Sequence, residues 1–188
     1  MPVSKKRKGK KKSVIKPRFT QFSLTHKMLE QLRELFGRMP LIVHIKLPKG
    51  TCTHDDISLV RDMINLLNAG LATRTWLDQD EREEVRGYIN AAVQAMSSII
   101  PRGRKAGHYT CTGDELNALW AVEECVDAYI QDSLNTCPRR LLKEWRAVVE
   151  LTRLRQGEET RTELIEDHVM QRMVNTIGAT PWWEKNHE

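Results

Sequence analysis

The sequence predicts an all-α fold, and three observations carry that prediction. Six segments place apolar residues at helical spacing, most of them open on a capping residue, and only Leu41–Leu47 has the composition of a strand. The expected architecture is a bundle-like body of about six helices with a short two-stranded β element, preceded by a basic N-terminal arm. At 188 residues, 40% hydrophobic and 29% charged, the chain suits one hydrophobic core and is short for two. The expected division is an arm over 1–18 and one helical domain over 19–188.

The first helix is capped by Ser23 and runs to Phe36, with Leu24, Met28, Leu32 and Leu35 on one side and Gly37 and Pro40 as its stop. Leu41–Leu47 (LIVHIKL) is short, β-branched and bounded by Pro40 and Pro48. It therefore reads as a strand or extended segment, with His108–Thr112 as the best pairing partner. Thr53 with Asp56 forms a capping box that uses Asp for the usual Glu. It opens a helix with Ile57, Val60, Met63, Ile64 and Leu67 on its stripe, closing at Gly70.

Asp78 or Asp80 starts the third helix, whose stripe is Val85, Ile89, Ala92, Val93, Met96 and Ile100, ended by Pro101. Thr112 with Glu115 is a second capping box, opening a helix that buries Leu116, Leu119, Trp120, Val122, Val126 and Ile130. Pro138 suits the first turn of a helix to Arg155. Thr160 with Glu163 opens the last, carrying Leu164, Ile165, Met173, Val174 and Ile177. The segments Thr51–Asp56 and Thr110–Glu115 echo each other. Capping chemistry accounts for the echo better than an internal duplication does, because the match fades beyond the cap.

Charge is distributed unevenly. Of 30 lysines and arginines, nine lie in residues 1–18 (Lys5, Lys6, Arg7, Lys8, Lys10, Lys11, Lys12, Lys16 and Arg18), where there is no acidic residue. That leaves 21 basic against 25 acidic residues, a body of about −4. So like-charged an arm buries too little apolar surface to offset its ordering entropy, and it is expected to be disordered when free. Closely spaced Lys and Arg attract phosphate and release counterions, which makes nucleic acid the expected partner. The same charge also suits a localisation address, an anionic membrane surface or a solubilising tail.

Two further basic groups lie in the body. Arg139, Lys143, Arg146 and Arg153 share a narrow arc of their helix, opposite Leu141, Trp145 and Val148. Arg102, Arg104 and Lys105 lie in a segment, Arg102–His108, that reads as a flexible loop. Together with the arm they form the candidate nucleic-acid contacts.

For other chemistry the sequence offers little. Cys52, His54, His108 and Cys111 make a Cys₂His₂ set, but neither pair has the usual Cys-x₂₋₄-Cys spacing, and packing explains both cysteines, so no metal is expected. No glycine-rich phosphate loop, nucleophile elbow or His-Glu-x-x-His occurs, and the acidic pairs sit at helix starts, where they favour the helix dipole. Neither an enzyme nor a cofactor is expected. Trp182 and Trp183 are expected to pack on the body, with docking of a partner as the alternative.

No run approaches the roughly 20 apolar residues of a membrane span, and the charged N-terminus lacks the apolar run of a secretory signal. A reducing compartment is expected, cytoplasmic or, in a eukaryote, nuclear, with the four cysteines as thiols. The reading is a nucleic-acid-associated accessory or regulatory protein whose arm binds without sequence preference. The alternative is an assembly subunit, of a virion or larger complex, whose arm contacts neighbours or packaged nucleic acid. Self-association or a protein partner is compatible with either.

Overall fold

The structure, a computed structural model, describes residue 27 and residues 30–73, 77–155 and 167–176. Helix accounts for 87% of the described residues, and no strand or sheet occurs among them. In chain order the elements are α1 (30–36), α2 (Arg38–Leu41), a π-helical turn (Ile42–Lys46) and α3 (His54–Thr73). Then come α4 (Gln79–Ala106), α5 (Gly113–Thr136), α6 (Pro138–Arg155) and α7 (Asp167–Thr176). The first-helix cap at Ser23, the last-helix cap at Thr160 and Glu163, the arm and Trp182–Trp183 lie outside the described residues.

Leu41–Leu47 is helical, which corrects the strand reading. A strand would bury Leu41, Val43, Ile45 and Leu47, all apolar and all on one side of a pleat. Instead Met39, Ile42, Val43 and Leu47 are buried, whereas Leu41 and Ile45 are 45% and 46% exposed. That is the period of a helix. α1 ends at Phe36, as expected, but the helical path resumes at Arg38 and runs through Pro40. Gly37 keeps right-handed helical angles and its amide bonds the Arg33 carbonyl, while Pro40 lies in the first turn of α2, where a missing donor costs least. Leu32, Phe36, Met39 and Val43 therefore form one buried stripe across both residues. His108–Thr112 does find an antiparallel partner, at Cys52 rather than in LIVHIKL, through an isolated bridge between Cys52 and Tyr109.

The central element is α3. It packs against α4, α5, α6 and α7, so it buries far more than one stripe: Leu59, Leu66 and Leu71 join Ile57, Val60, Met63, Ile64 and Leu67. Its expected stop, Gly70, lies inside the helix, and its role is close approach. A Cβ there would lie 2.4 Å from Tyr129 Cε2 of α5.

The other long helices start where the capping chemistry places them. Asp78 with Glu81 caps α4, and Thr112 with Glu115 caps α5. Of their expected core positions Ile89, Ala92, Met96, Ile100, Leu119, Val122, Val126 and Ile130 are buried, and Val85, Val93, Leu116 and Trp120 are half-buried.

Pro101 does not end α4, and 102–106 is helix rather than loop. An interior proline costs roughly 3 kcal/mol. Burial of Ile99, Ile100 and Gly103 opposes that cost, with Gly103 so close to Tyr109 that a Cβ would lie 2.1 Å from its ring. The helix stops at Gly107, whose φ of 77° is left-handed. Cys137 alone joins α5 to α6: its amide bonds the Ser133 carbonyl, and its own carbonyl accepts from Arg140 and Leu141.

Candidate nucleic-acid interface

The nine arm residues lie outside the described residues, so the structure positions only the body's candidates. Arg102 is held on the last turns of α4. Its guanidinium donates to both Glu115 oxygens, at 3.1 and 2.5 Å, and to the Thr110 carbonyl at 2.9 Å. That bidentate pair joins the end of α4 to the cap of α5. Burial pushes the Glu115 carboxyl up, but Arg102 and the Thr112 amide outweigh it and hold it below its ordinary range. Arg104 and Lys105 are exposed on the same last turns.

On α6, Arg139 is exposed and Lys143 and Arg146 are half-buried. Spacings of four and three keep these three on one side of the helix. The Arg153 side chain lies outside the described residues. The α4 group and the start of α6 are not brought together. Arg102 meets the first turn of α5, and Arg139 follows its last. Twenty-four residues of α5 span about 36 Å.

One polar centre escaped the sequence reading, and a second was legible there only as a helix cap. Glu144, on α6, is fully buried. One of its oxygens accepts the Tyr129 hydroxyl, and the other accepts Thr73 Oγ1 at 2.7 Å and Arg140 Nε at 3.2 Å. Arg140 also donates to the Thr73 carbonyl, and Arg82 Nη2 donates to the Leu71 carbonyl at 2.6 Å. Two arginines thus satisfy the carbonyl end of α3, where cations also suit the helix dipole. The Arg140–Glu144 spacing of four was the available signal for this centre.

Asp56 is the second. Its side chain is 1% exposed and accepts Lys46 Nζ at 3.0 Å and the Thr53 amide at 3.0 Å, with Arg38 at 3.5 Å. Burial raises its carboxyl, yet the Thr53 amide and Lys46 hold it below the ordinary range. Both capping acids are therefore engaged in joining elements.

Against the π-helical turn, the His44 ring stacks on Trp120 at 5.5 Å between centroids and 11° between planes, with Nε2 3.2 Å from Glu123. Trp120 Nε1 is buried without a hydrogen-bond partner among the described residues.

The histidines of the Cys/His set have other partners. His54 Nδ1 is 3.0 Å from the Tyr109 hydroxyl and His108 Nδ1 is 3.1 Å from the Ala106 carbonyl. No three His, Cys, Asp or Glu residues among those described are grouped to hold a metal. Burial, and Asp56 after it, push the Cys52 thiol up to about 11, and burial raises Cys111 and Cys125 as well. These thiols are protonated at neutral pH and poor nucleophiles. No described helix is long and apolar enough to cross a membrane. Comparison with protein-family models, with curated proteins and with solved structures finds no match for this chain.

Proposed function

We propose that this protein is a nucleic-acid-associated accessory factor that binds through its lysine-rich arm and reads phosphate charge, not base sequence. The observation that carries the reading is the separation of charge: nine basic and no acidic residues in 1–18, against a body of about −4. An extended polyanion is the ligand such an arm fits best, and phosphate contacts carry no sequence information. Arg139, Lys143 and Arg146, with Arg104 and Lys105, are secondary contacts in this reading.

Affinity purification of the full chain and of a chain lacking residues 1–18, each with and without nuclease, tests it. Nucleic acid should co-purify with the full chain alone. Equal recovery on both chains would move the binding site to the body.

A second reading, an assembly subunit, is favoured by one observation: Leu41 and Ile45 are the large hydrophobics left exposed among the described residues. It expects assemblies larger than a dimer that persist after nuclease treatment, measured by light scattering on the eluted protein.

A further inference from the structure

We infer that residues 50–96 and 109–155 are two copies of one helical hairpin, fused in a single chain, and that each copy's inner face is built to receive the other. The partner chemistry of that face is thus a second copy of the same hairpin. The inference rests on register. Thr112 caps α5 59 residues after Thr53 caps α3, and the box acids Asp56 and Glu115 keep that offset. So do the first residues of α4 and α6, Gln79 and Pro138. The first helical bonds keep it too: Ile57 to Thr53 and Leu116 to Thr112, then Arg82 to Asp78 and Leu141 to Cys137.

Burial repeats with the caps on one face. Val60, Met63, Leu67, Leu71, Ile89 and Ala92 are buried, and so are their counterparts 59 residues on, Leu119, Val122, Val126, Ile130, Val148 and Leu151. Leu59, Leu66 and Ala69, which the central helix α3 also buries, have half-buried or exposed counterparts. Good caps alone would not give two successive helix starts the same offset; the helix ends differ, since α3 stops at Thr73 and α5 runs to Thr136. Beyond the caps the side chains differ almost everywhere, so the repeat lies in register and not in identity.

The contacts show how the copies are related. The second helix of each copy packs on the first helix of the other, α4 on α5 and α6 on α3. The Cys52–Tyr109 bridge is antiparallel, and its register sets Thr51 opposite Thr110, which are counterparts. Gly70 and Tyr129 are counterparts as well, and they touch. Equivalent residues meeting each other at both ends of the α3–α5 contact is the signature of a two-fold axis, as in an isologous dimer. An axis has room for one ring there, which is why one copy carries Gly and the other Tyr. The ring's acceptor follows the same logic, since the counterpart of Glu144 is Val85.

The test is exchange in the full chain. In one variant residues 54–96 are replaced by the sequence of 113–155, keeping Gly70 and Val85. In its reciprocal, 113–155 are replaced by 54–96, keeping Tyr129 and Glu144. Circular dichroism should give parental helicity and one cooperative melt for at least one of them. A control carrying the same replacement shifted by one residue should lose the transition, and so should the first variant when Gly70→Tyr is added. Failure of both in-register variants to melt cooperatively would overturn the inference. So would a shifted control that melts as well as its in-register counterpart.

Discussion

The arm and the body hold basic residues of the same kinds in different circumstances. Within residues 1–18 no acid offsets nine positive charges. In the body, Lys46 and Arg38 face Asp56, Arg61 faces Asp62, Arg102 faces Glu115 and Arg140 faces Glu144. Arg82, Arg102 and Arg140 also donate to helix-end or loop carbonyls. The lesson is that counting lysines and arginines does not locate a polyanion site. Arg38, Lys46, Arg102 and Arg140 hold elements together, and the charge left uncompensated by sequence lies in the arm.

Deleting residues 1–18 sharpens that comparison most. Affinity for a duplex at low salt should fall by about two to three orders of magnitude, read by fluorescence anisotropy, with no change in the body's melting temperature. Scrambling the duplex sequence should leave the affinity of the full chain unchanged.

On the body's side, Glu144→Ala should destabilise most, by about 3–5 kcal/mol in urea unfolding, because Arg140 and the Tyr129 and Thr73 hydroxyls lose a shared buried acceptor. Duplex binding at a temperature where the variant is folded should be unaffected. A loss of binding there would mean that the body's network supports the interface.

The two capping acids form a smaller pair of tests. Asp56→Asn should cost about 2–4 kcal/mol, since the acid is buried with two cations, and Glu115→Gln about 1 kcal/mol. Both carboxyls are held below their ordinary range in the folded chain. Their contribution is therefore complete above the unfolded carboxylate range near pH 4 and is lost as pH falls through the lower folded values. Asp56→Asn should flatten the acid limb of a stability profile more than Glu115→Gln does.

Asp62 has the opposite sign. Burial raises its carboxyl despite Arg61 and Thr152, so its contribution is present below the ordinary range and lost as pH rises through the raised value. Asp62→Asn should leave stability at neutral pH unchanged or slightly higher.

The smallest expected effect on binding is that of Lys143→Glu, which should change duplex affinity by about threefold in the full chain. A loss matching that of the arm deletion would place the α6 side at the centre of binding.

How much of this was legible depended on how local the determinant was. The boxes at Thr53 and Thr112 involve residues three apart, and the chain shows them directly, whereas at Asp78 the chain alone left Asp80 as an alternative start. Pro101 and Gly70 misled because their helices are held by distant residues: Tyr109 against Gly103, Glu115 on Arg102, and Tyr129 over Gly70. LIVHIKL misled because alternation and helical spacing both fit seven largely apolar residues, and only the buried stripe through Leu32, Phe36, Met39 and Val43 decides between them. Of the candidate interface, the arm and the α6 residues were legible as charge. That Arg102 belongs to a pair was not, because its partner Glu115 caps a different helix.

The most direct measurement of the central claim is the salt dependence of duplex binding, compared between the full chain and the chain lacking residues 1–18. With roughly five to seven phosphate contacts from the arm, log affinity of the full chain should fall against log salt with a slope of about −4.5 to −6.3. The shortened chain should lose most of that slope. A shortened chain that binds with the slope intact would contradict the account and assign the phosphate contacts to the helical body.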